Sequence, residues 1–400
     1  MTPWLHIVGV GEGGIAALGP AARATIATAL TVLGPPRLLM GLDGSQRAVP
    51  WQSPLARMLE QVEALAGTPT VILATGDPSW FGIGVTLART LPAESFTITP
   101  HPSAFSLAAA RLHWPLQHVA TLSLHGRAHG ALQPHILPGN RILALTTDRQ
   151  TVRIVADMLV ARRYGDSHLT VLENLGGPDE RISASSAATI AADPLGDFLV
   201  LAIDCVASPD APLLPPVPGL PDDAFLTDGQ LTKRDVRAAT LAKLAPYPGA
   251  LLWDIGAGSG SIAIEWLRAA RDARAIAFER DASRLELIRR NAENLGVPGL
   301  EIVAGSAPQS LAGQKAPDAV FMGGDVANGE IFAAAWAALE PGGRLVANAV
   351  TLEGEQALLA RKAQWGGELT RLDISVLDHI GSRTVMRPRL PVTQWLAVKP

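Results

Sequence analysis

A single cysteine, Cys205, occurs in the 400 residues, so no disulfide framework can form and a reducing compartment, the cytoplasm, is expected. It follows the apolar run 198–203 and reads as an inert buried thiol. An excess of positive charge is missing too. Lys and Arg number 33 against 37 Asp and Glu, for a formal net charge of −4, without the broad basic surface that non-specific nucleic-acid binding needs. Long apolar runs are absent: none reaches the ~18 residues of a membrane span. The start carries a strand pattern at 5–10 and lacks the basic head and cleavage site of a signal peptide. Neither a membrane nor a nucleic-acid partner is expected. Six of the nine histidines fall between His101 and His135, two of them, His125 and His129, four residues apart. Gly126 and Gly130 make a poor helix there, and no cysteine or paired carboxylate completes a ligand set, so no metal is expected.

Proline, by contrast, is crowded into one place. Pro209, Pro212, Pro215, Pro216, Pro218 and Pro221 lie within 208–224, a density that neither a helix nor a central strand absorbs. Four hundred residues exceed what one core usually supports, so the segment reads as an extended linker between domains at 1–207 and 225–400.

In the second domain, 251–265 reads as an apolar strand, a glycine turn and a helix start. Gly256, Gly258 and Gly260 allow a sharp turn and close approach of a ligand. A second strand, 275–279, ends at Glu279, where a carboxylate can take both hydroxyls of a ribose. Nicotinamide dinucleotides use similar loops, but with Gly-x-Gly-x-x-Gly spacing aimed at a pyrophosphate. Here the order is Asp-x-Gly-x-Gly-x-Gly, and Asp254 suits a ligand with a sulfonium and a free amino group. S-adenosylmethionine is the expected cofactor.

Further strands are expected at 250–254, 301–304, 319–322, 344–349, 368–377 and 393–397, and helices at 233–244, 261–270, 283–295, 329–338 and 352–364. Alternation of this kind implies a parallel sheet covered on both faces. The last two strands, with no helix between them, suggest a hairpin at the sheet edge. The first domain is also α/β. Gly9, Gly11 and Gly14 satisfy Gly-x-Gly-x-x-Gly after a strand, but the next strand, 31–33, runs into Gly34-Pro35-Pro36 with no ribose acid, so this motif reads as a decoy. A loop at 75–84, Thr-Gly-Asp-Pro-Ser-Trp-Phe-Gly-Ile-Gly, follows the strand 71–74 and leaves backbone groups free for a ligand or a simple turn.

Taken together, these motifs resemble a known pair of families. Val8-Gly9-Val10-Gly11, Thr75-Gly76-Asp77-Pro78, Pro102-Ser103-Ala104-Phe105, Ser123-Leu124-His125-Gly126-Arg127 and Glu173-Asn174-Leu175-Gly176 resemble the tetrapyrrole methylases of the cobalamin pathway. Leu231-Thr232-Lys233-Arg234, the loop 254–260, Met322-Gly323-Gly324 and the tail 387–393 resemble the methyltransferase and decarboxylase of the same step. A fusion in this order resembles the decarboxylating precorrin-6Y C5,15-methyltransferases. The resemblance implies a two-lobed tetrapyrrole methylase domain followed by a Rossmann-like class I methyltransferase domain. It also implies methylation of a reduced corrin precursor at C5 and C15, with loss of the C12 acetate carboxyl as CO2, giving precorrin-8x. By match, Gly76, Asp77 and Ser103 would contact one cofactor, and Asp254, Gly256, Gly258, Gly260 and Glu279 another. Ser306 stands where related domains often place an acid at the adenine, and is counted with that second set.

Methyl on a sulfonium is already electrophilic, so the enzyme must mainly align a carbon nucleophile behind it. A polycarboxylate tetrapyrrole calls for cations, and Lys233, Arg234, Arg237, Arg383, Arg387 and Arg389 are the candidates. Thr232 and Lys233 match the family motif and are taken as catalytic, with Asp77, His125 and Arg127 as proton acceptors or carboxylate holders in the first domain. A homo-oligomer is expected. The rival reading is a nucleic-acid methyltransferase with a non-catalytic first half, although 321–325 lacks the Asn-Pro-Pro-aromatic pattern of enzymes acting on flipped bases.

Overall fold

A computed structural model describes residues 3–191 and 195–400. The chain divides into two compact units: one formed by Met1–His129 and Leu137–Pro212, the other by Gly130–Ile136 and Leu213–Pro400. The proline-rich segment is therefore not a free spacer throughout. Leu214, Leu220 and Phe225 are buried in the core of the second unit, where prolines between them keep the chain extended.

The first unit holds two five-stranded sheets. In one, β1 (Leu5–Val10), β2 (Thr31–Gly34), β3 (Arg47–Pro50), β4 (Thr70–Thr75) and β5 (Phe96–Thr99) run parallel in the order β3-β2-β4-β1-β5. Alternate residues face opposite sides. Val8, Val10, Val71 and Leu73 enter one core, while Ile7, Leu33, Ile72 and Ala74 enter another, so both faces are covered and the strands read as unbroken apolar runs. In the other sheet, β6 (Val119–Ser123), β7 (Arg141–Leu145), β8 (His168–Glu173), β9 (Arg181–Ser186) and β10 (Leu199–Asp204) take the order β6-β7-β10-β8-β9. Only β6 and β7 pair in parallel there.

The second unit is built on a seven-stranded sheet. Its strands are β11 (Leu251–Ile255), β12 (Arg274–Glu279), β13 (Glu301–Ala304), β14 (Ala319–Met322), β15 (Arg344–Ala349), β16 (Glu368–Leu372) and, after a separate ribbon of β17 (Ser375–Ile380) and β18 (Arg383–Pro388), β19 (Val392–Val398). The order is β13-β12-β11-β14-β15-β19-β16, antiparallel only at β19. Leu252, Ala277, Phe321 and Val346 point to one core and Trp253, Phe278, Met322 and Leu345 to the other. Strand order reverses at β11, with β12 on one side and β14 on the other, which opens a crevice at their carboxyl ends.

One expectation fails in this region. The candidate strand 368–377 is two strands in two sheets, β16 and β17, separated at 373–374. The expected pairing at the sheet edge holds: β16, the edge strand, runs antiparallel to β19, with the β17–β18 ribbon inserted between them in the chain.

Candidate active sites

The crevice of the second unit is a cavity of about 740 Å³ lined by the ends of β11, β12 and β14 and the loops that follow. Asp254, Gly256, Gly258, Glu279, Ser306 and Thr232 all line it. Gly256 and Gly258 have φ of +71° and +59°, a backbone region that side chains disfavour. Gly260 does not line the cavity. It begins the helix Ser261–Ala269, and a Cβ there would stand 3.0 Å from Ile288, so its work is helix packing rather than ligand contact.

Glu279 is 5% exposed and already holds the loop: its Oε2 accepts from Gly258 N at 2.9 Å, and its Oε1 from Arg280 N and Asp281 N. A carboxylate offers about four acceptor sites, so capacity remains for ligand hydroxyls. Asp254 is 1% exposed, and its Oδ2 accepts from Ala263 N at 3.1 Å. Its Oδ1 is buried without any hydrogen-bond partner. Burial raises its pKa from 3.8 to about 7, with the nearby Glu279 charge adding to the rise and the Ala263 hydrogen bond opposing it.

Sequence reasoning missed how the near wall is held. Residues 219–232 form a strap whose end, Gln230, Leu231 and Thr232, lines the cavity. Glu265 accepts from Gly219 N at 2.6 Å and Leu220 N at 3.0 Å. Asn291 binds both backbone groups of Leu226, at 2.8 and 2.9 Å, and donates to Ser259 O of the glycine loop at 2.9 Å. Asp228 pairs with Arg284 at 2.8 Å; the Gln230 N–H and then this pairing lower the acid's pKa, and the pairing raises that of the base.

Arg237 belongs to the same lacing, which corrects its assignment to substrate. It is fully buried, pairs with Glu265 and Asp222, donates to Thr232 O and Leu220 O, and lies 4.7 Å over the Phe225 ring. Four of its five N–H donors are used inside the protein, and the side chain is not part of the cavity lining. Lys233 and Arg234 are exposed at the start of the helix Arg234–Leu244 but outside the cavity lining. Arg383 and Arg387 lie on the β17–β18 ribbon, where Arg387 pairs with Asp378, and Arg389 just beyond it; of this tail only Leu390 lines the cavity. The expectation that both basic groups face the crevice therefore does not hold. Arg280 and Arg284, which do line it, were overlooked because they sit on β12's following loop and helix rather than in a basic run.

The first unit has its own cavity of about 310 Å³, lined by residues of both sheets. Gly76, Asp77, Ser103 and His125 line it. Asp77 Oδ1 accepts from Ser79 N at 2.8 Å, and Ser103 caps the helix Ala104–Leu112 through Ser106 N at 3.0 Å. The His125 Nδ1 lies 3.1 Å from Thr146 O. Arg127 is outside the lining, its guanidinium 5.5 Å over the ring of Phe81, which does line the cavity. The Gly9/Gly11 motif has a packing reason: a Cβ on Gly9 would meet Gly76 O at 2.4 Å, and one on Gly11 the His101 ring at 2.6 Å.

Comparison with known proteins agrees with both halves. Residues 4–191 match the tetrapyrrole (corrin/porphyrin) methylases and residues 223–399 the precorrin methyltransferase domain. A Sinorhizobium protein named precorrin-6Y C(5,15)-methyltransferase [decarboxylating] is 46% identical, covering 99% of this chain and 96% of its own. A Mycobacterium tuberculosis protein of the same name is 39% identical over 98% of this chain and 99% of its own. A Salmonella typhimurium protein named cobalt-precorrin-6B C(15)-methyltransferase (decarboxylating) is 34% identical over 43% of this chain and 91% of its own. The chain belongs to the family of decarboxylating precorrin-6Y C(5,15)-methyltransferases.

Proposed function

We propose that the chain carries two S-adenosylmethionine sites, one in each unit, and methylates a reduced tetrapyrrole at C5 and C15 with loss of one acetate carboxyl as CO2. The observation that carries this is Asp254: a buried carboxylate with one unpartnered oxygen at the edge of a glycine-turn cavity suits a cationic amino group. Across the same cavity, Glu279 would take the ribose hydroxyls, and the open Ser306 and the backbone at 305–307 would meet the adenine. Gly76, Asp77 and Ser103 would hold the cofactor in the first unit.

When bound, S-adenosylmethionine supplies an electrophilic methyl. The chain's residues then have to place a carbon nucleophile and manage charge. Arg280 and Arg284, which line the second cavity, would pair with substrate carboxylates. Thr232, fixed through its carbonyl by Arg237, would position the substrate edge. Methyl transfer to a ring carbon leaves a cationic imine in the tetrapyrrole. Breaking the acetate C–C bond sends its electron pair into that imine and releases CO2, so no further electron acceptor is needed. In the first unit His125 would accept the proton lost after methylation, and Arg127 would hold a carboxylate.

We assign C15 methylation and decarboxylation to the second unit, whose residues 223–399 match the precorrin methyltransferase domain, and C5 to the first, whose residues 4–191 match the tetrapyrrole methylases. No helix among the described residues is long and apolar enough to cross a membrane, and we place the enzyme in the cytoplasm as the site of such biosynthesis. Leu377, Ile380 and Met386 on the ribbon are 61–68% exposed, which supports a homo-oligomer through that apolar surface; sedimentation velocity should show a species larger than one chain, and a strict monomer would contradict it. Calorimetric titration of the intact chain with S-adenosylmethionine tests the cofactor reading. Two equivalents should bind and Asp254→Asn should lose one; a single equivalent in the wild type would contradict it.

A further inference from the structure

Trp80 and Phe81 stand at the rim of the first unit's cavity with 45% and 41% of their surface open. Both lean on one buried anchor, Phe105, with ring centroids 6.2 and 5.9 Å away, so their orientation is set while their outer surfaces are free. Phe81 also has φ of +56°, a genuine outlier for a bulky side chain. The turn around it is tight: a Cβ on Gly82 would lie 2.6 Å from Pro78 O and 2.8 Å from Asp77 O, and one on Gly84 2.8 Å from Pro78 O, so neither of these positions has room for a side chain. Glycine would adopt the Phe81 conformation without strain. The phenyl ring must therefore offset a backbone cost, yet inside the folded chain it makes one edge contact to Phe105 and one face contact to Arg127. Strain concentrated beside a cavity is a pointer to ligand contact.

Charge decides which ligand. Arg127 is exposed, and no carboxylate among the described residues matches it. A sulfonium-bearing cofactor would be repelled by that guanidinium, whereas a flat macrocycle edged with carboxylates would be attracted on both counts. We propose that Trp80 and Phe81 form the ledge that seats the tetrapyrrole macrocycle in the first unit, and that Arg127, resting on Phe81 in the free chain, turns to a peripheral carboxylate of the substrate. Phe81 is then a specificity-determining residue on the substrate side, distinct from Gly76, Asp77 and Ser103 on the cofactor side. This rests on the reading that the first unit methylates a tetrapyrrole.

The test uses the intact chain with Asp254→Asn to silence the second site, under anaerobic conditions with labelled S-adenosylmethionine and the reduced tetrapyrrole. Phe81→Gly, Trp80→Ala and Arg127→Ala are compared by KM for each substrate and by direct binding of S-adenosylmethionine. Each variant should raise the tetrapyrrole KM by about tenfold or more, the loss expected for one stacked ring or one charge-assisted hydrogen bond, with cofactor binding unchanged. Phe81→Gly should also keep the wild-type thermal midpoint, because it removes strain. An unchanged tetrapyrrole KM in Phe81→Gly or Trp80→Ala overturns the ledge, as does a matching loss of cofactor affinity. Absence of methyl transfer by the parent chain would instead overturn the functional reading beneath it.

Discussion

Asp254 and Arg237 show two ways of burying a charge. Arg237 is met by two carboxylates and two carbonyls, whereas Asp254 leaves one oxygen unpartnered. Removing Arg237 strands Glu265 uncompensated, so Arg237→Met should cost about 3–5 kcal/mol of stability in urea denaturation. Asp254→Asn should do the opposite to the empty protein and raise its stability at pH 8, while weakening S-adenosylmethionine at this site. The pH dependence follows from its pKa, raised from 3.8 to about 7 in the folded chain. Between those values the folded state binds more protons than the unfolded one, so this group's effect is to lower stability as pH rises from about 4 to about 7, with no further change above. The slope should vanish in Asp254→Asn. A cationic ligand prefers the ionised form, so affinity at the second site should fall by up to about tenfold per pH unit below 7. A flat profile from pH 5.5 to 8 in calorimetry would remove Asp254 from that role.

At the level of elements, the strap 219–232 turns a proline-rich connection into a wall of the cavity. Asn291 is the link between strap and glycine loop, so Asn291→Ala leaves Leu226 N–H without its partner and two carbonyls without a donor. A stability loss of about 1–3 kcal/mol is expected, along with a raised KM for S-adenosylmethionine at an unchanged kcat. Faster amide exchange at 226–232 would identify the strap as the part released. The strap was illegible in the sequence because its contacts join side chains to backbone across 65 and 32 positions, which no local pattern encodes. Arg237 was misread for a related reason: nothing in its neighbours distinguishes a buried arginine from a solvated one. The central strands of the second unit's sheet, β11, β12, β14 and β15, were legible because they are covered on both faces and read as apolar runs. The ribbon was not. Its residues alternate without a core to cover, with Leu377, Ile380 and Met386 left exposed, so β16 and β17 looked like one long strand and β18 like a loop.

On the scale of the whole molecule, the two cavities described lie on unrelated sheets, each lined within its own unit. One has two buried carboxylates, Asp254 and Glu279, beside a glycine turn; the other has an aromatic rim, with the exposed Arg127 over the ring of Phe81. We infer that these are two methyl-transfer sites serving one tetrapyrrole, with CO2 loss tied to the second. The most direct test is anaerobic incubation of the intact chain with the reduced tetrapyrrole and labelled S-adenosylmethionine, read by mass. Two methyl gains and one CO2 loss are expected, with Asp254→Asn stopping after one methyl gain and retaining the carboxyl. A wild-type product with a single methyl gain and no CO2 loss would contradict the claim.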